Sequence, residues 1–178
     1  MKPAAKLPIA LLTATPDDAE LLTNFGAQAM RDAFGAQNTP ENLEAYLATA
    51  FTPEQLRREL TDPGATFFLA KHGPDLVGYA KMRRNGPKPR RLRGMRAVEV
   101  QRIYVRRDAQ GLGIGRVLLE ACLDTGRSEG FEAVYLGVWE KNPAAQAFYR
   151  NLGFSRIGWH FFQFGSERQR DFWMSRPL

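Results

Sequence analysis

Gln110-Gly111-Leu112-Gly113-Ile114-Gly115 lies between an apolar, β-rich run, Val98 to Val105, and a stretch with Ile114, Val117, Leu118, Ala121 and Cys122 at helical spacing. The order strand, glycine turn, helix decides how the middle of this chain folds. A helix that starts at such a turn leaves its first amides without internal partners and adds the positive end of its dipole to them. That arrangement suits a phosphate or pyrophosphate.

Spacing separates the glycine loops that bind phosphates. A nucleoside-triphosphate loop closes on Gly-Lys-Ser or Gly-Lys-Thr, whereas Gly115 is followed by Arg116 and Val117. A dinucleotide fingerprint needs a third glycine where Arg116 stands, and it belongs to an early strand-turn-helix unit rather than the middle of a chain. The remaining pattern is Gln-x-x-Gly-x-Gly, formed by Gln110, Gly113 and Gly115.

Working outward, Ile9 to Thr13 reads as a first strand, and Thr15-Pro16-Asp17-Asp18 starts a helix that runs to about Phe34. Thr39-Pro40-Glu41 and Thr52-Pro53-Glu54-Gln55 repeat that start, the second with Gln55 spaced for a capping box. Thr66 to His72 and Leu76 to Met82 are strands joined through Gly73-Pro74-Asp75. The helix from Ile114 weakens at Gly126 and Gly130. Val134 to Trp139 is a strand with Gly137 inside it, a bulge or a point of close approach. Asn142-Pro143 starts a helix that ends at Leu152-Gly153, and Ser155 to Phe164 and Asp171 to Ser175 are the last strands. Helices alternate with strands while hairpins occur early and late, so an α/β (α+β) fold with a mixed sheet and helices on its faces is expected.

With 178 residues, 44% of them apolar, the chain is long enough for one well-buried core and short for two ordinary domains, so residues 1–178 read as one domain. No apolar run approaches the roughly 18 residues of a spanning helix. Met1 to Leu12 is interrupted by Pro3 and Pro8 and lacks the hydrophobic region of a signal peptide. A single cysteine, Cys122, excludes an internal disulfide, and with two histidines it leaves little for a soft-ligand metal site. No metal is expected, and a reducing, cytoplasmic compartment is. Cys122 lies on the apolar stripe of its helix and reads as a small buried hydrophobe.

The net charge of +6 favours anionic ligands without naming them. Residues 81 to 96 hold eight of the basic side chains, among them Arg83, Arg84, Lys88 and Arg96, broken by Gly86, Pro87, Pro89 and Gly94. They read as a solvated loop or as a device that steers an anion. No aromatics are interleaved with them, which argues against nucleic acid.

Two blocks in register resemble the GNAT superfamily of N-acetyltransferases: Val98 to Cys122, and Val134 to Phe154 with Asn142, Tyr149 and Gly153-Phe154 as landmarks. Ala45 to Leu60 also resembles the bacterial subgroup of PaiA-type polyamine acetyltransferases. The resemblance implies a mostly antiparallel, twisted sheet with one splayed parallel pair and acetyl-coenzyme A as cosubstrate. It implies that pantetheine lies along Ile103, Tyr104 and Val105, and that the pyrophosphate lies on Gln110, Gly111, Leu112, Gly113, Ile114, Gly115 and Arg116. Asn142 would contact the pantetheine arm, although it also serves as an N-cap.

Tyr149 would protonate the departing thiolate, a role that suits a phenol still protonated at pH 7. Glu99 matches the position of the family's catalytic glutamate, and simple strand alternation groups it with Gln101, Ile103 and Val105. It would take the proton of the acceptor amine, with Glu140 as the alternative. Attack would be direct, in a ternary complex, on a polyamine or other small amine or on a protein amine. Acceptor choice would fall to residues 32 to 59, with Glu41, Glu44, Glu54 and Glu59, and to the loop 83 to 97. Trp173 and the last strand offer a surface for a homodimer by analogy. A non-catalytic acetyl-coenzyme A sensor or a regulatory or nucleic-acid-binding module is the alternative function.

Overall fold

The structure, a computed structural model, describes residues 8–178, so most of the expectation about Met1 to Leu12 lies outside the described residues. In chain order the elements are β1 (Ala10–Thr13), α1 (Ala19–Phe34), α2 (Pro40–Ala50), α3 (Pro53–Thr61), β2 (Ala65–His72), β3 (Asp75–Arg83) and β4 (Ala97–Val105). They continue with α4 (Ile114–Ser128), β5 (Ala133–Trp139), α5 (Pro143–Asn151), β6 (Ser155–Phe164) and β7 (Glu167–Pro177). The seven strands form one sheet in the order β1-β2-β3-β4-β5-β7-β6. Among the described residues only β4 and β5 run parallel.

The threonine-proline starts act as read. Thr39 Oγ1 accepts from the Asn42 amide at 3.3 Å and Thr52 Oγ1 from the Gln55 amide at 3.1 Å, which satisfies amides at the head of α2 and α3. Half of the expected capping box is missing. The Gln55 side chain turns forward to donate to Glu59 at 3.0 Å instead of reaching back to the backbone of Thr52. At Thr15 the first turn, Pro16–Asp18, is 3-10, and the α-helix begins only at Ala19.

α4 buries Ile114, Leu118, Leu119, Cys122 and Leu123 against Val98, Val100, Val134 and Leu136 of the central strands. Each such side chain contributes about 1.5–3 kcal/mol by leaving water. Burial pushes the Cys122 thiol up to about 12, so it packs as a hydrophobe. Leu22, Leu43, Leu47 and Leu56 of α1, α2 and α3 cover the opposite face, over Phe67, Leu69 and Tyr79.

Two irregularities in β4 shape the site. Lys81 pairs with Arg102 and Met82 with Val100, so Gln101 is an extra residue, a β-bulge. The bulge shifts the alternation by one. Val98 and Val100 share the α4 face with Ile103 and Val105, while Glu99 falls on the face of Arg102 and Tyr104. The expected grouping of Glu99 with Ile103 and Val105 is therefore wrong, because simple alternation takes no account of an inserted residue. The second irregularity is that β4 and β5 pair at three positions, Ala97 with Ala133, Val98 with Val134 and Glu99 with Tyr135, and part beyond them.

β7 lies between β5 and β6, and Trp173 is buried, with its ring stacked on His160 at 3.8 Å. The expected dimer surface at Trp173 is thus interior, and the sheet's edges are β1 and β6. The basic segment is tied down as well. Lys81 and Arg83 belong to β3, Arg84 pairs with Glu129, and Arg96 donates to the Glu129 carbonyl at 3.0 Å.

Candidate active site

A cavity of about 850 Å³ opens where β4 and β5 part. One end is the glycine turn. Gly111 and Gly113 have φ of 79° and 84°, a region that side chains disfavour, and a Cβ at either would meet nothing within 4 Å. Glycine is needed there for backbone conformation rather than for room. Gly113 caps α4, so the first amides of a 15-residue helix face this end of the cavity. Arg107 and Arg116 add positive charge, although Arg116 also forms an exposed pair with Glu120 at 2.8 Å.

The edge of β4 that β5 abandons forms the adjoining wall, with Gln101, Ile103, Tyr104 and Val105. An extended ligand with amides can pair with such an edge as an added strand would. Gln110 lines the same wall, and its side chain donates to the Val105 carbonyl at 3.3 Å. Ile114 and Gly115 complete this end. Leu112, grouped with the loop in the sequence, does not line the cavity and is 49% exposed.

α5 supplies the facing wall through Asn142, Phe148 and Tyr149. The Asn142 side chain accepts from the Ala145 amide at 3.0 Å, so it caps α5 with its oxygen. Tyr149 packs against Phe148 and Phe154, with ring centroids 5.1 and 5.8 Å away. Burial pushes its hydroxyl well above the usual phenol value, so it keeps its proton throughout the physiological range.

The other end is walled by side chains from α1, α2, β5 and the β6–β7 hairpin: Phe34, Tyr46, Trp139, Phe162 and Asp171, around Gly137. Tyr104, whose hydroxyl donates to the Met30 sulfur at 3.0 Å, forms its floor with Arg102. Arg102 is committed to Glu59, which accepts from it at 2.6 and 3.2 Å and pairs with Lys81 at 2.8 Å. Burial, with the charge of Arg102, pulls the Lys81 ammonium down to about 8, against the pull of Glu59.

Glu99 is not among the cavity's walls. Its carboxylate, 5% exposed as a residue, pairs with Arg83 at 2.7 Å beneath Gly86. Burial raises its pKa against the pull of Arg83. The bulge at Gln101 puts it on the face of Arg102, beside Arg83 and not along the cavity. Glu140 is outside the main cavity too, held by Arg170 at 2.7 Å. Of the acids expected to draw an acceptor, Glu44 pairs with Arg31 and Glu59 with Lys81 and Arg102, and neither they nor Glu41 and Glu54 line the cavity. The loop 83 to 97 does not line it either. Asp171 and the aromatic wall have no local signal in the sequence, since Asp171 follows the polar run Glu167-Arg168-Gln169-Arg170 at the edge of the apolar Phe172-Trp173-Met174.

Comparison with known proteins agrees with this architecture. The pattern of the Acetyltransferase (GNAT) family matches residues 27–154. The chain belongs to that family. It is 31% identical over 151 residues to an uncharacterized N-acetyltransferase of Lactobacillus delbrueckii subsp. lactis, covering 85% of this chain and 87% of the relative. It is 40% identical over 119 residues to the N-alpha-acetyltransferase RimI of Mycobacterium tuberculosis, covering 65% of this chain and 70% of the relative. The crystal structure of PaiA N-acetyltransferase from Thermoplasma acidophilum in complex with coenzyme A superposes with a TM-score of 0.78 at 18% identity, covering 96% of this chain and 99% of that one. At that identity it shows a shared fold.

Proposed function

We propose that this protein transfers the acetyl group of acetyl-coenzyme A to a primary amine by direct attack in a ternary complex. The observation that carries this reading is the cavity's continuity. It runs from helix amides suited to a pyrophosphate, past a free strand edge suited to the pantetheine amides, to the Tyr149 hydroxyl and an aromatic chamber. The relative named N-alpha-acetyltransferase and the fold neighbour holding coenzyme A point the same way.

In this reading the amine nitrogen attacks the thioester carbon and the carbon–sulfur bond breaks. Tyr149 gives its proton to the departing thiolate, a transfer for which its retained proton fits it. Ile103, Tyr104 and Val105 pair with the pantetheine, Gln110, Gly111, Gly113, Ile114, Gly115 and Arg116 hold the pyrophosphate, and Asn142 contacts the arm between. Cys122 is sealed in the core, so no acyl-cysteine step is needed.

Thiol release from acetyl-coenzyme A, measured with a panel of amines beside calorimetry of coenzyme A binding, tests the reading. Turnover on at least one amine is expected. Tight cofactor binding without turnover on any of them would favour the sensor.

A further inference from the structure

We propose that Asp171 is the carboxylate that holds the acceptor's ammonium and takes its proton, and that the acceptor is a cationic amine borne on an apolar or aromatic body. This rests on the acetyl-transfer reading above and supplies a proton acceptor that, unlike Glu99, lines the cavity.

The charges around the cavity are divided. Arg107 and Arg116 stand at the glycine-loop end, and Asp32, Arg102 and Asp171 at the other. Glu59 is shared between Arg102 and Lys81, so that triad keeps one positive charge against the two carboxylates Asp32 and Asp171, and the balance at this end is negative in a protein whose net charge is +6. A cation is drawn there, and the faces of Phe34, Tyr46, Trp139 and Phe162 favour both its charge and an apolar body behind it.

Asp171 sits in the middle of β7, paired across the sheet with Trp139 on one side and His160 on the other. Between them Gly137 leaves a gap. A Cβ there would stand 3.0 Å from His160 Nε2 and 3.6 Å from Asp171 Oδ2, so glycine leaves room for the imidazole edge next to the carboxylate, and Gly137 and Asp171 line the cavity together. His160 Nδ1 lies 3.2 Å from the Phe161 carbonyl, and Nε2 is buried without a partner. Burial lowers the His160 pKa, so the ring is neutral near pH 7 and adds no positive charge beside Asp171.

Tyr46 from α2 and Glu140, with its partner Arg170, act electrostatically on Asp171, and Asp32 from α1 and Gln169 from β7 line the same cavity. Burial, reinforced by the negative charge of Glu140, raises the Asp171 carboxyl to about 6. It is therefore ionised at pH 7 yet basic enough to accept a proton.

The protons balance. The ammonium loses one proton to Asp171, which passes it to solvent, and the freed lone pair forms the bond to the thioester carbon. The tetrahedral nitrogen then loses a second proton, which replaces the one that Tyr149 gives to sulfur. The products are amide, thiol and one proton.

Tyramine is the probe, with glutamate, whose amine stands beside a carboxylate, as its contrast. We expect wild-type kcat/KM for tyramine to exceed that for glutamate at least about tenfold and to rise with pH through an acidic limb near 6. D171N should lower it about 100-fold and abolish the limb while leaving the coenzyme A Kd unchanged. It should also be no less heat-stable at pH 8. A carboxyl whose pKa is raised on folding makes the protein less stable as pH rises through the interval from its unfolded to its folded value, and the variant is relieved of that cost.

G137A, whose methyl would press on His160 and narrow the wall beside Asp171, should lower kcat/KM while keeping the limb. A limb that persists in D171N would overturn the assignment, as would joint loss of heat stability and coenzyme A affinity. If the wild type binds coenzyme A but leaves tyramine untouched, the acceptor assignment falls and the donor reading stands. If coenzyme A does not bind, the acetyl-transfer reading itself falls.

Discussion

The two ends of the cavity are built from different materials. The glycine-loop end is backbone: amides of a helix start and a strand edge, arranged by residues that are contiguous in the chain from Ile103 to Arg116. The other end is side chain: rings and carboxylates from α1, α2, β5 and the β6–β7 hairpin, brought together from Asp32 to Asp171. Backbone recognises what is common to many ligands, such as a phosphate or an amide. Side chains recognise what differs. The division matches a reaction in which one substrate is fixed and the other is chosen.

The difference can be broken most severely from the side-chain end. Glu59→Gln leaves Lys81 and Arg102 buried without their shared counter-ion, so unfolding in denaturant should show a loss of about 3–5 kcal/mol. The next largest effect falls where the ends meet. Tyr149→Phe should lower kcat about 100-fold with coenzyme A affinity nearly intact, and unchanged turnover would remove Tyr149 from the acid role.

At the backbone end, Gly113→Ala meets no steric obstacle and should cost about 1 kcal/mol of stability for its positive φ, together with a severalfold weaker coenzyme A Kd. The smallest change is expected for Arg116→Gln. Its exposed guanidinium already pairs with Glu120, so coenzyme A binding should weaken by less than about 1 kcal/mol, and less again at high salt.

The same division explains what could be read from the chain. The glycine turn, the threonine-proline helix starts and the Asn142 cap are local chemistry, written in neighbouring residues, and they stand where they were expected. The bulge at Gln101 has no glycine or proline to announce it, yet it turns Glu99 toward Arg83. Gln55 had two partners within reach, and only packing decides that it takes Glu59. β7 extends from Glu167 to Pro177, well beyond Asp171 to Ser175. Its charged flanks carry no apolar signal, and pairing with both β5 and β6 holds them in the strand. The aromatic chamber has no motif at all, since Phe34, Tyr46, Gly137 and Asp171 meet only in three dimensions.

The parting of β4 from β5 has a consequence for the sheet as a mechanical object. Three residue pairs join a four-stranded half, β1 to β4, to a three-stranded half, β5 to β7. A ligand lying along the open edge restores the missing part of that seam and splints the halves together. Amide hydrogens of residues 101 to 105 and 136 to 139 should then exchange with solvent readily in the free protein and slow markedly once coenzyme A is added. Saturation at a hundredfold excess over Kd would add about 2.7 kcal/mol to global stability. In the proposed mode of binding the cosubstrate is also a temporary piece of secondary structure, and the protein is most completely folded when it is ready to react.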